Sequence, residues 1–127
     1  MRKRNWRSCL TDFVYKPICD VIEQSPEHVQ LRLLIPENLY YFQGHFTQAA
    51  ILPGVAQLDW VMHYLNKYLN VDPQKVISVD ALKFQIIVQP NYQVDLLLKK
   101  IKDTKYSFSY SSEHGQHASG KVVLADE

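Results

Sequence analysis

From Val29 the apolar residues fall on odd positions, Val29, Leu31, Leu33 and Ile35, with Gln30 and Arg32 between them, until Pro36 interrupts the series. Alternation of period two marks a strand with one buried face, and proline stops it. Residues 37–52 carry aromatic side chains without a sustained period. They read as a long loop, of a length that compact domains reserve for function or leave disordered. Pro53 then opens a helix, because proline fits the first helical position. Val55, Leu58, Met62, Leu65 and Leu69 recur at helical spacing. Ala56, Trp60, Val61, Tyr64 and Tyr68 widen that stripe, so that Asp59, His63, Asn66, Lys67 and Asn70 form a narrow polar face. A helix this apolar must be covered on most sides.

Val71-Asp72-Pro73 ends the helix, and the rest of the chain reads as strand. Ile77, Val79 and Ala81 alternate, then Phe84, Ile86 and Val88 alternate in the opposite phase as far as Gln89-Pro90-Asn91, which predicts a bulge near Leu82-Lys83. Three further strands follow, on Val94, Leu96 and Leu98, on Tyr106, Phe108 and Tyr110, and on Ala118, Gly120, Val122 and Leu124. Lys102-Asp103-Thr104 and Glu113-His114-Gly115 separate them at hairpin length. The aromatic triplet has the period of a strand and reads as one packed sheet face. Residues 1–26 are too mixed to assign an element, and Arg2, Lys3, Arg4 and Arg7 read as a solvated end or a weak dock for an acidic partner. The order of elements predicts an α+β fold in one domain over residues 1–127, with an antiparallel sheet folded around a single helix.

Composition narrows the function classes. With 127 residues, 14 basic and 13 acidic side chains and a net charge of +1, the chain is no nucleic-acid binder working by bulk charge. No run approaches the roughly 20 apolar residues that span a bilayer, and the basic start leads into no apolar signal core, so a cytoplasmic protein is expected. Cys9 and Cys19 form neither a C-x-x-C pair nor a Cys/His cluster, and His114 and His117 have no acidic or cysteine partner at metal spacing. No metal and no cofactor is expected.

Candidate chemistry gathers between Gly44 and His63. Leu52, at the expected cap position, cannot accept from the first-turn amides, which leaves the N–H groups of Gly54, Val55 and Ala56 without a side-chain partner. Free donors at a helix start attract negative charge, and glycine lets a ligand approach the backbone, so these amides could hold a carbonyl turning into an enolate. Water or the preceding loop would satisfy them equally well in an ordinary helix. His45 is a loop imidazole with the right ordinary pKa for a general base, or a surface histidine. Asp59 with His63 one turn on is either a solvated pair or, where water is scarce, a carboxyl held protonated to act as a donor.

The string GHFTQAAILPGVAQLD, Gly44 to Asp59, resembles the signature of the β-hydroxyacyl-acyl-carrier-protein dehydratases. In that family His-Phe is followed by a short loop, a Pro-Gly helix start and an acid, and here His45, Phe46, Pro53-Gly54, Gln57-Leu58 and Asp59 stand at its spacing. Val79 to Phe84 with Pro90 is a second, weaker likeness, and LPGVAQLDWVM, Leu52 to Met62, loosely resembles the dehydratases of aryl-polyene pathways. The resemblance implies the hotdog fold, a dimer of like or unlike hotdog subunits, and an acyl-carrier-protein-bound or CoA-bound 3-hydroxyacyl substrate. It implies His45 as base, Asp59 of the opposite subunit as acid, Gly54 with Val55 and Phe46 around the thioester, and Gln57 and His63 as supporting residues. Thr47-Gln48-Ala49-Ala50 departs from the family's Phe-Pro-Gly-x-Pro, His63 replaces a common glutamine, and Asn91-Tyr92 replaces Gly-Asp after the proline. A hotdog thioesterase and a non-catalytic partner subunit are the competing readings.

Overall fold

The computed structural model describes residues 15–39, 42 and 51–126. Strands β1 (Ile18–Gln24) and β2 (His28–Leu34) precede helix α1 (Gly54–Leu69), and β3 (Val76–Phe84), β4 (Gln93–Lys102), β5 (Lys105–Ser112) and β6 (Gly115–Leu124) follow it. All six strands join one antiparallel sheet in the order β1-β2-β4-β5-β6-β3. The strand between the helix and the meander therefore crosses to the far edge.

The alternation read from the sequence sorts the two faces. Val29, Leu31 and Leu33 on β2, Val94, Leu96 and Leu98 on β4, and Tyr106, Phe108 and Tyr110 on β5 are all buried. They share one core with Trp60, Val61, Tyr64 and Leu65 of the helix. This is the helix-wrapped sheet of the hotdog fold. Two-residue turns, Asp103-Thr104 and Glu113-His114, close the hairpins β4–β5 and β5–β6. Gly115 takes the second with φ +118°, a conformation that favours a residue without a Cβ. On the outer face Arg32 meets Asp95 across β2 and β4 at 3.0 Å.

Four details differ from the sequence expectation. β1 went unseen because its residues are almost all exposed and a register shift between Val21 and Glu23 breaks its alternation. β3 stops at Phe84, and Gln85 to Val88 lie beyond it; there Gln85 N–H bonds the His117 carbonyl at 2.8 Å. Pro53 is the residue before the helix, at φ −65° and ψ 152°, in place of Leu52. Within the expected loop 37–52, Leu39 and Phe42 are core residues. The bulge is confirmed: pairing slips between Asp80 and Lys83, and Ala81 has φ 54°.

Candidate active site

Helix α1 begins without a side-chain cap. The Ala56 and Gln57 N–H groups both donate to the Pro53 carbonyl, at 3.1 and 3.2 Å, so Ala56 has a backbone partner where it lacks a side-chain one. The Gly54 and Val55 N–H groups accept no such help among the described residues. Two donors with the positive end of a helix behind them are left at one spot. Val55 belongs to the apolar stripe in sequence but is 73% exposed at this spot.

Several contacts fix where the helix start points. Leu52 N–H donates to the Val88 carbonyl at 2.8 Å, hanging the approach to the helix from the segment after β3. The Tyr110 hydroxyl donates to the Gln57 carbonyl at 2.6 Å, pinning the first turn to the middle of the sheet. Burial holds the Tyr110 phenol well above its ordinary pKa, so it stays a donor. The Phe84 ring lies on Gly54: a Cβ built there would stand 2.7 Å from Phe84 Cζ. A side chain at position 54 would have to displace the Phe84 ring.

The free donors open into a cleft of about 600 Å³ lined by Leu52, Gly54, Val55, Leu58, Phe84 and Ile86 among others. Its walls are mostly apolar. Gln57 also lines it and is buried; its Nε2 donates to the Leu52 carbonyl at 3.3 Å, while its Oε1 has no partner. Asp59 lies two residues on, exposed and outside this lining. His63 is half-buried, and burial first, then the nearby Lys16 and Lys67, lower its pKa against a smaller opposing pull from Asp59. Of the sequence-predicted residues, Gly54, Val55 and Gln57 come together in the cleft lining, and Asp59 is not part of it. His45 and Phe46 lie outside the described residues.

Sequence reasoning missed Phe84 as the roof over Gly54, although it stood in the Lys83-Phe84 likeness. His117, passed over as a turn residue, is fully buried, with Nε2 2.6 Å from Ser112 Oγ and Nδ1 3.0 Å from the Ile86 carbonyl. It secures the segment that forms the cleft wall. Among the described residues no cluster could hold a metal ion, and no helix is long and apolar enough to cross a membrane.

The edge of the sheet beside the cleft is open. Among the described residues β3 pairs only with β6, and Ile77, Leu82, Phe84, Ile86 and Ile87 are 65, 39, 49, 37 and 46% exposed. An apolar edge strand with free backbone groups is a template for another chain.

Residues 21–121 match the family model of the ApeI-like proteins, described as ApeI dehydratase. The chain belongs to the ApeI-like dehydratase family. Among solved structures it is similar to the dehydratase heterocomplex ApeI:P from Xenorhabdus doucetiae, with 30% identity, a TM-score of 0.75, and coverage of 87% of this chain and 99% of that one. An uncharacterized protein from Erwinia carotovora subsp. atroseptica is 36% identical at a TM-score of 0.69, over 86% of this chain and 95% of that one. Thioesterase superfamily member 2 from Mus musculus, at 12% identity and a TM-score of 0.65 over 84% of this chain and 80% of that one, shares the fold. A search of the curated proteins gives no match. Family membership identifies the kind of chemistry, loss of water, that the cleft is to be read against.

Proposed function

We propose that this chain is a 3-hydroxyacyl-thioester dehydratase of the cytoplasm, acting on a substrate carried by acyl carrier protein or CoA and complete only when a second hotdog subunit docks along β3. The uncapped start of α1, with two free N–H groups opening into an apolar cleft, carries the reading. A thioester carbonyl placed on the Gly54 and Val55 amides gains stabilisation as it becomes an enolate, because preformed donors in a water-poor site need not reorganise. His45 takes the C2 proton as a neutral imidazole. Asp59, acting as the acid, then delivers a proton to the 3-hydroxyl, which leaves as water while the C2–C3 double bond forms.

Asp59 stands outside the cleft of its own chain, which supports the family's arrangement of histidine and acid from opposite subunits. The exposed apolar residues of β3 give the partner a place to sit, whether a second copy or an unlike hotdog chain. The ApeI:P structure is a heterocomplex.

A spectrophotometric assay with a 3-hydroxyacyl thioester tests the reading. New enoyl absorbance is the expected result, free thiol would indicate a thioesterase, and neither would indicate a partner subunit without turnover. His45→Ala should lower enoyl formation by a factor of at least about 100, the usual worth of a general base, and leave the dimer intact. Retained activity would overturn the assignment of the base.

A further inference from the structure

The unsatisfied oxygen of Gln57 is a second polar feature of the cleft, separate from the helix start. Gln57 is 4% exposed, and a buried carbonyl oxygen without a donor is costly enough that native proteins rarely keep one idle. Its amide orientation is settled, because the group facing the Leu52 carbonyl must be the donor nitrogen. Side chains of a helix lean toward its N-terminus, and the bond to Leu52 draws the Gln57 carboxamide back along that direction. Residues 54 and 57 are three apart and share a face. Gln57 lines the same cleft as Gly54 and Val55, so the site holds two backbone donors and, buried in its wall, one acceptor without a partner, Gln57 Oε1, among otherwise apolar residues.

A ligand that satisfies this set presents a carbonyl oxygen to the helix start and a hydrogen-bond donor a short distance along the same chain. We infer that Gln57 is a substrate-binding residue whose Oε1 accepts the hydrogen of the substrate's 3-hydroxyl while the amides hold the thioester carbonyl. The inference rests on the dehydratase reading for the identity of the ligand and goes beyond it in naming what recognises the hydroxyl. The contact leaves the hydroxyl oxygen's lone pairs free to receive the proton from Asp59. It also exists only before water is lost, since the enoyl product has no donor at that position. Gln57 thus favours holding substrate over holding product.

The test compares thioesters that differ at one group. The 2,2-difluoro-3-hydroxyoctanoyl thioester of N-acetylcysteamine has no C2 proton to lose and cannot be dehydrated, and its 3-methoxy and 3-deoxy counterparts lack the donor. Titration calorimetry on the intact protein should show the hydroxy compound binding about tenfold tighter than either counterpart, the worth of one buried hydrogen bond. In Gln57→Met that preference should fall to about onefold, with affinity for the 3-deoxy compound changed less than about twofold. KM for a reactive 3-hydroxyoctanoyl thioester should rise more than kcat falls. The methoxy compound binding the wild type as tightly as the hydroxy compound would overturn the inference without any variant. A preference that survives in Gln57→Met, or no binding of either compound, would overturn it too. Enoyl formation by the wild type is scored separately. Turnover without a hydroxyl preference leaves the dehydratase and removes the Gln57 contact, whereas a preference without turnover keeps the contact and removes the dehydratase.

Discussion

The β4–β5–β6 meander and the region where β3 meets the start of α1 are built from the same kinds of residue but to opposite ends. In the meander, inward positions are buried, turns are two residues long, and β5 pairs on both sides. Around the helix start, two backbone donors and a glutamine oxygen have no partner among the described residues, the strand changes register, and large apolar side chains stay exposed. The first region settles its own contacts and supplies stability. The second leaves contacts open that a ligand or another chain could settle, and that is where activity is to be sought.

Placing a charge on the open edge should break this contrast most visibly. On the proposed function, Ile77→Lys is expected to dissociate the proposed dimer in light scattering and to abolish enoyl formation. The circular dichroism of the folded chain should stay unchanged, since an exposed substitution alters monomer stability by less than about 0.5 kcal/mol. Activity in a monomer would refute the shared site. The converse substitution, Leu96→Ala in the meander, removes a fully buried side chain and should cost about 2–5 kcal/mol in urea unfolding. Its effect should fall on stability, with the KM of the surviving folded protein near that of the wild type. The smallest effect concerns His63. Its pKa is lowered in the folded chain, mainly by burial, so the unfolded chain binds the proton more readily and stability falls as pH drops below the ordinary histidine value of about 6.5. His63→Gln should flatten that decline in the denaturation midpoint between about pH 7 and 5. An unchanged slope would place the acid sensitivity elsewhere.

The same contrast explains what could be read in advance. β2, β4, β5 and β6 alternate cleanly because one face of each is buried, and the apolar stripe of α1 reflects a helix covered by the sheet. β1 lacks a buried face to impose a pattern. Gln85 to Val88 keep an apolar rhythm after β3 has ended, because Val88 enters the core while Ile86 and Ile87 remain at the exposed rim. In the site, Pro53-Gly54 announced an uncapped start from local chemistry. The idle oxygen of Gln57 could not be read, since it depends on which atom the Leu52 carbonyl captures. Phe84 over Gly54 depends on a contact between residues thirty apart in the chain.

The irregularity in β3 governs more than the strand's outline. Asp80 faces Lys121 and Lys83 faces Ser119, so three steps on β3 match two on β6. Were all five steps from Val79 to Phe84 regularly paired, odd-even parity would turn Phe84 to the opposite side of the sheet from Val79. Gly54 would lose its aromatic cover, and the cleft one of its walls. The one-residue slip at Ala81 therefore decides that Phe84, and not its neighbour in the chain, turns toward the helix start.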